Sequence, residues 1–376
     1  MMESEIAVGS GVELRCSKDA LVGALGVVSR AVSTRGAVQV LGGVLLHATA
    51  AGLELAATDM ELSLRTRIDA SVTGEGAVVV PGKLINDLAR LLPADEVSIA
   101  YRPEDGAVEI RSGSYTSRLN VFAAEDFPRL PSVDVALHTV AAGSLLETVE
   151  RVSRSASRDE SRPVLTGILV RFEADKLVMA ATDSYRLSVK ETPLTDPGPD
   201  LEAIIPARAL GELTRIGAGS ETLQLGVNEN HVIFGTGDAW LTTRRIDGQF
   251  PNVRQLLPET FEVELELPRR ELLDIVRRAG VMAQRNAPLR LRFAEGELTV
   301  SAQSQDVGET KESLPVGYTA AEPLEIGFNA EFLREGLESV SSDTLQLKLI
   351  NPLRPGLISA EGDAFWYLIM PIRLAG

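Results

Sequence analysis

The chain holds one cysteine, Cys16, among its 376 residues. That excludes an internal disulfide framework and a thiolate metal cluster, and it fits a reducing compartment. Histidine is almost as scarce. His47, His138 and His231 stand far apart in segments that read as strands, so each reads as structural rather than as a ligand. No H-E-x-x-H, G-x-S-x-G or Walker A sequence is present. Gly235-Thr236-Gly237 lies between two apolar runs with no helical pattern behind it, and reads as a hairpin turn. No window approaches the roughly 18 uninterrupted apolar residues of a membrane helix. The start, with Glu3 and Glu5, lacks a basic region followed by an apolar run. These absences give the expectation of a cytoplasmic protein that is not an enzyme and uses no metal or cofactor. Positive charge is also short: 37 Lys and Arg stand against 53 Asp and Glu, a net charge of −16. Spread evenly, that would argue against a nucleic-acid binder, because phosphate contacts need Lys and Arg.

What is present is a repeat. Leu177 to Val189 reads LVMAATDSYRLSV, an apolar strand, a Thr-Asp-Ser turn and a second strand. Leu53 to Leu64 reads LELAATDMELSL, with Ala56-Ala57-Thr58-Asp59 placed 124 residues before Ala180-Ala181-Thr182-Asp183. Val40-Leu41-Gly42-Gly43-Val44-Leu45 precedes Val164-Leu165-Thr166-Gly167-Ile168-Leu169 by the same interval. The second copy reads as one residue longer after its aspartate, with Ser184-Tyr185-Arg186 in place of Met60-Glu61. That insertion is expected to mark a functional site.

Three units follow: 11–133, 134–258 and 259–376, after a lead-in at 1–10. Each carries two helices among many strands. The helices are expected at about Lys18 to Arg30, capped by Ser17, and at Gly82 to Leu92 behind Pro81. Others run from Ser144 to Ser157, Ala207 to Ile216, Pro268 to Gln284 and Asn329 to Val340. Helices mixed with antiparallel strands make an α+β fold, and a period of this length means tandem domains rather than a solenoid.

Three further stretches carry a family resemblance. Ala181-Thr182-Asp183-Ser184-Tyr185-Arg186-Leu187, Asp247-Gly248-Gln249-Phe250-Pro251 and the ending Tyr367-Leu368-Ile369-Met370-Pro371-Ile372-Arg373-Leu374 resemble the bacterial DNA sliding clamp, the beta subunit of DNA polymerase III. The resemblance runs from about residue 11 to the end. It implies three DNA-clamp domains, each with two helices on antiparallel sheets, and a head-to-tail homodimeric ring whose helices face double-stranded DNA. The ring would slide without sequence specificity and act as a processivity factor. The alternative is a clamp-like paralogue that serves as a partner-binding scaffold without replication loading.

Under the resemblance the shortage of positive charge becomes a matter of distribution. The helix Arg269 to Arg285 carries five arginines against Glu271 and Asp274. The expected DNA-facing residues are Lys83, Arg90, Arg154, Arg158, Arg208, Arg215, Arg277 and Arg278, with Arg35 and Arg162 in loops. Pro163 and Val164 stand where the family often has aromatic residues. The resemblance further implies a groove that takes short hydrophobic peptides of the polymerase alpha subunit, the clamp-loader delta subunit, other polymerases and repair proteins. Its matching residues are Leu165, Thr182, Ser184, Tyr185, Arg186, Leu187, Pro251, Leu256, Asn329, Phe332, Leu353, Pro355, Leu368, Ile369, Met370, Pro371, Ile372, Arg373 and Leu374. Arg186 and Arg373 are expected at its rim, Gln255 replaces a frequent arginine, and the loop from Arg285 to Pro288 is shortened. Leu119, Val281 and Met282 match the dimer interface, with Ser117 in place of a bulkier residue.

Overall fold

The computed structural model describes residues 11–34, 38–131, 134–195, 197–283, 287–304 and 308–374. Arg35 and Arg285 lie outside the described residues.

The helices follow the expected order: α1 (Lys18–Val28), α2 (Gly82–Leu91), α3 (Ala142–Ser153), the single turn α4 (Pro163–Thr166), α5 (Ala207–Ile216), α6 (Arg269–Met282) and α7 (Ala330–Ser339). Side-chain acceptors start two of them. Ser17 accepts the Ala20 N–H at 3.5 Å, and Asn329 accepts the Phe332 N–H at 3.0 Å, each satisfying a donor that the first helical turn leaves unpaired. The first helix of each repeat buries the same register: Leu21, Leu25 and Val28; Leu145, Val149 and Val152; Leu272, Val276 and Ala279. That i, i+4, i+7 spacing is one apolar stripe on a 3.6-residue helix.

The strands form two compact units, and the division falls inside the middle repeat. The first unit comprises Met1–Gly143 and Glu212–Arg245. Its eight-stranded sheet runs Leu137–Ala141, Thr222–Val227, His231–Thr236, Ala239–Arg244, Leu62–Ile68, Gly52–Thr58, Gly43–Thr49, Gly76–Pro81. Repeats one and two meet where Leu241 faces Leu64. A five-stranded sheet of the same unit ends at the strand Tyr115–Asn120.

The second unit comprises Ser144–Gly211 and Ile246–Gly376. Its eight-stranded sheet runs Glu202–Pro206, Gly167–Phe172, Lys176–Thr182, Arg186–Pro193, Asp363–Ile369, Gly356–Ala360, Thr344–Leu349, Val263–Pro268. Repeats two and three meet where Leu187 faces Leu368. A four-stranded sheet ends at the strand Gly308–Pro315. A stretch continuous in sequence is therefore shared between two sheets, because each half of the middle repeat completes a sheet with its neighbour.

The repeated hairpin shows no insertion. Thr58 pairs with Ser63, and Thr182 pairs with Leu187, across turns of equal length. Both turns use the same bonds. The threonine hydroxyl donates to the carbonyl of Leu62 or Arg186, and the aspartate Oδ1 accepts the next two-on and three-on backbone N–H groups. Met60 and Ser184 both take φ 79°. The 124-residue offset therefore continues through the turn. What changes is chemistry: Arg186 stands where the first repeat has Leu62, 2% exposed.

Candidate functional site

Because Arg186 replaces a core leucine, its guanidinium is carried inward. Its side chain is 8% exposed. Nε donates to Asp183 Oδ2 at 3.1 Å, Nη1 donates to Glu335 Oε2 on α7, and the guanidinium carbon lies 4.2 Å from the Phe332 ring centroid. The Tyr367 hydroxyl donates to the Phe332 carbonyl at 2.7 Å, and burial pushes that phenol above its ordinary pKa. Arg186 is thus an internal clasp between the hairpin and α7, not the rim charge expected of it. Glu335 was not among the expected site residues. A signal for it exists, since the three ten-residue helices α2, α5 and α7 all carry an acid at their sixth position: Asp87, Glu212 and Glu335.

The last strand ends at Ile369, and the chain then crosses the hairpin tip. The Met370 N–H donates to the Tyr185 carbonyl at 2.8 Å, and the Ile372 N–H donates to the Gly327 carbonyl at 2.8 Å. Pro371, between them, has no N–H to satisfy. A Cβ on Gly327 would come within 2.6 Å of Leu374, so glycine permits this close approach. The tail borders a cavity of about 360 Å³ lined by Glu325, Ile326, Gly327, Pro352, Leu353, Ile372, Arg373 and Leu374. Tyr185, Leu256, Leu353 and Met370 are exposed by 61%, 47%, 64% and 41%. Large apolar side chains at that level of exposure are candidates for covering by a partner. The loop at Gly248 closes on Val164, where a Cβ would come within 2.6 Å of that side chain.

The expected groove residues therefore divide. Ser184, Tyr185, Pro251, Leu256, Leu353, Met370 and Arg373 are exposed, while Leu165, Phe332, Pro355, Pro371, Ile372 and Leu374 are partly buried. Thr182, Leu187, Leu368 and Ile369 are buried at 6%, 3%, 7% and 0%. Leu187 and Leu368, a facing pair, share one apolar cluster, while Ile369 packs into another on the opposite sheet face, as the alternation of strand side chains requires. Asn329 spends its side chain capping α7.

The basic residues divide too. Lys83 and Arg90 occupy the second and ninth positions of α2, Arg208 and Arg215 the same positions of α5, and all four are exposed. Seven residues apart is two helical turns, so each pair shares a face. On α7 those positions are Glu331 and Glu338. Glu338 accepts from Arg154 at 2.5 Å and from Arg277 at 2.9 Å. Burial opposes its charge, but these two bonds hold its carboxyl below the usual range. Arg278 donates twice to Glu312, at 2.6 and 3.0 Å, and so is engaged at the edge strand Gly308–Pro315. Arg162 donates to Asp159 and to Ser184 at 3.1 Å each. Arg158 is exposed beyond the end of α3. Arg154, Arg162, Arg277 and Arg278, expected to face DNA, are thus held by carboxylates, and the exposed Arg215 also donates to Glu212 at 2.6 Å.

Arg151, in the last turn of α3, is buried. It bonds Asp363 and the Ser339 carbonyl, with its guanidinium 4.3 Å from the Phe365 centroid. Of the expected interface residues, Val281 is 77% exposed, Met282 partly buried, and Leu119 already covered within its own sheet at 6%. Among the described residues no group of three or more His, Cys, Asp or Glu side chains is placed to hold a metal ion. No helix among them is long and apolar enough to cross a membrane.

Three family models match in order: the DNA polymerase III beta subunit N-terminal domain over residues 12–131, its central domain over 139–252 and its C-terminal domain over 254–373. The chain is 35% identical to the beta sliding clamp of Synechococcus elongatus, covering 96% of this chain and 100% of that protein. It is 31% identical to the beta sliding clamp of Streptomyces coelicolor, covering 97% and 100%. The crystal structure of the DNA polymerase sliding clamp from Bacillus subtilis matches with a TM-score of 0.92 at 25% identity, over 97% of this chain and 100% of that one. With three domain models in sequence and relatives matched along their whole length, the chain belongs to the beta sliding clamp family, the beta subunits of DNA polymerase III.

Proposed function

We propose that two copies of this chain close head to tail into a ring around duplex DNA, slide without reading sequence, and tether replication and repair proteins. The observation that carries this reading is the pattern of sheet junctions. Ala239–Arg244 and Asp363–Ile369 are the repeat-equivalent strands that join neighbouring repeats, through Leu62–Ile68 and Arg186–Pro193. The remaining members of the two sets are Tyr115–Asn120 and Gly308–Pro315, each at the end of its sheet. An unpaired edge invites another strand, and a repeated head-to-tail contact that closes gives a ring.

The internal junctions also supply a register. Ala239 faces Thr66, and Phe365 faces Lys190. By hairpin position Thr66 and Lys190 correspond to Glu312, and Ala239 corresponds to Tyr115. The closing junction then sets Tyr115 opposite Glu312 of the partner subunit and Arg118 opposite Glu309 of the partner subunit. The three clamp domains are 11–133, 134–258 and 259–376.

The exposed pairs Lys83 with Arg90 and Arg208 with Arg215 provide the phosphate contacts, which position DNA without specifying it. Retention comes from topology, so those contacts stay weak. The tail, the Tyr185 hairpin and the neighbouring cavity receive a short hydrophobic peptide from polymerase alpha, clamp-loader delta or a repair protein. Two or three large side chains would each contribute about 1.5–3 kcal/mol against several kcal/mol of association cost, giving exchangeable, micromolar binding. The protein is cytoplasmic and has no chemistry of its own.

The test is topological. The chain is loaded by a clamp loader and ATP onto nicked circular DNA, which is then linearised. Retention on the circle and loss from the linear form is expected. Equal retention on both refutes encirclement, and no loading at all leaves only the scaffold role.

A further inference from the structure

We propose that the chain builds an arginine–carboxylate staple at both of its internal junctions and omits it at the junction between copies, where Val281 stands in the arginine's place. The proposal rests on the ring reading above. The strands ending at Ser17, Ala141 and Pro268 run directly into α1, α3 and α6. Counted from those helix starts, the thirteenth residues are Arg30, Arg154 and Val281. The buried stripes of the three helices keep the same count, so the three positions are equivalent.

Both arginines reach forward to the second helix of the next repeat. Arg30 Nη1 lies 3.2 Å from Glu212 Oε2 on α5, and Arg154 Nη1 lies 2.5 Å from Glu338 Oε2 on α7. The two carboxylates are well covered, with side chains 12% and 20% exposed. Each also takes a second guanidinium, Arg215 for Glu212 and Arg277 for Glu338. Glu212 and Glu338 are the sixth and ninth residues of ten-residue helices, positions that share a face.

At the third junction the helix facing α6 is α2 of the partner subunit. It carries Asp87 at its sixth position and Arg90 at its ninth, the same pair of charge types that α5 presents as Glu212 and Arg215. The acceptor is in place and the donor is missing. Val281 is 77% exposed and Leu84 on α2 is 50% exposed, so between these helices the junction rests on apolar contact, with no arginine–carboxylate staple. The consequence is a ring whose intermolecular junction is the one that lets go.

The experiment installs the missing donor in the full-length chain. Subunit exchange is followed by energy transfer between fluorophore-labelled rings after dilution. Wild type must sediment as a dimer at micromolar concentration; a monomer would overturn the ring reading itself. Val281→Arg is expected to slow subunit dissociation about three- to tenfold, with the gain falling as salt is raised. Adding Asp87→Asn to Val281→Arg is expected to abolish that gain. Dissociation of Val281→Arg at or above the wild-type rate, with an unchanged circular dichroism spectrum, overturns the staple proposal while leaving the ring intact. So does a gain that survives Asp87→Asn. Arg154→Val, which opens an internal staple, is expected to lower the unfolding midpoint and leave the dissociation rate unchanged. An altered dissociation rate there would also overturn the assignment.

Discussion

Replacing Arg186 by leucine tests whether the hairpin in the second unit is an electrostatic clasp. Leucine is the natural choice because Leu62 occupies the same turn position in the first repeat. The substitution removes the bonds to Asp183 and Glu335 and the packing on the Phe332 ring. Asp183 stays satisfied, since its Oδ1 keeps the backbone N–H groups of Tyr185 and residue 186 at 2.9 and 3.0 Å. Glu335, 13% exposed at its side chain, does not. Breaking a buried pair by removing one partner costs about 3–5 kcal/mol. Residual solvent at Glu335 and the apolar gain from leucine, up to about 1.5–3 kcal/mol, reduce the expected cost to about 2 kcal/mol. Removing both charges, in Arg186→Leu with Glu335→Leu, should return stability to within about 1 kcal/mol of wild type. Each unit holds one tryptophan, Trp240 and Trp366, so a Trp240→Phe background leaves Trp366 as reporter of the second unit during urea unfolding. A single variant costing under about 1 kcal/mol, or a double variant less stable than the single one, would refute the clasp.

Met370→Ala, at a side chain left 41% exposed, should weaken binding of a short Gln- and Leu-containing peptide by about 1 kcal/mol; unchanged calorimetric affinity removes Met370 from the groove. Lys83→Glu with Arg208→Glu should lower the salt slope of duplex binding by about 1 for each phosphate no longer neutralised, and an unchanged slope means these faces do not touch phosphate. Burial opposes ionisation of Asp363, but bonds from Arg151 and Lys190 hold its pKa below the ordinary value. Its stabilisation is therefore full above about pH 4 and is lost as pH falls through the lowered value. Asp363→Asn should flatten that acid limb of the stability profile, and a limb of unchanged steepness would show that other carboxylates set it.

The six long helices and the order of the strands were legible because apolar periodicity and capping residues are local signals. The 124-residue interval exposed the repeat, and through Arg30 and Arg154 it already held one half of each staple. The other half was not legible. Which carboxylate an arginine meets depends on packing between helices distant in sequence, as with Arg154, Glu338 and Arg277. The sharing of the middle repeat between two sheets was hidden for the same reason, since strand partners are chosen across the whole chain. Arg186 is concealed for a different reason. Reading an insertion after Asp183 shifted the comparison by one residue, concealing that this arginine occupies the place of buried Leu62. An apolar-to-charged exchange at a core position is itself a sequence signal.

The divided middle repeat has a covalent consequence. The chain passes from one unit to the other after Gly143, returns after Gly211 and leaves again after Arg245. Two of those crossings interrupt helices, α3 and α5. A single backbone cut at any crossing leaves two others intact, so no single proteolytic nick there can release either half. Nor can either unit be produced by simple truncation, because each is assembled from two separate stretches of chain. Expressed at its repeat boundary, the segment up to residue 133 would leave the strand Leu62–Ile68 as a bare apolar edge, which makes such a fragment prone to aggregate.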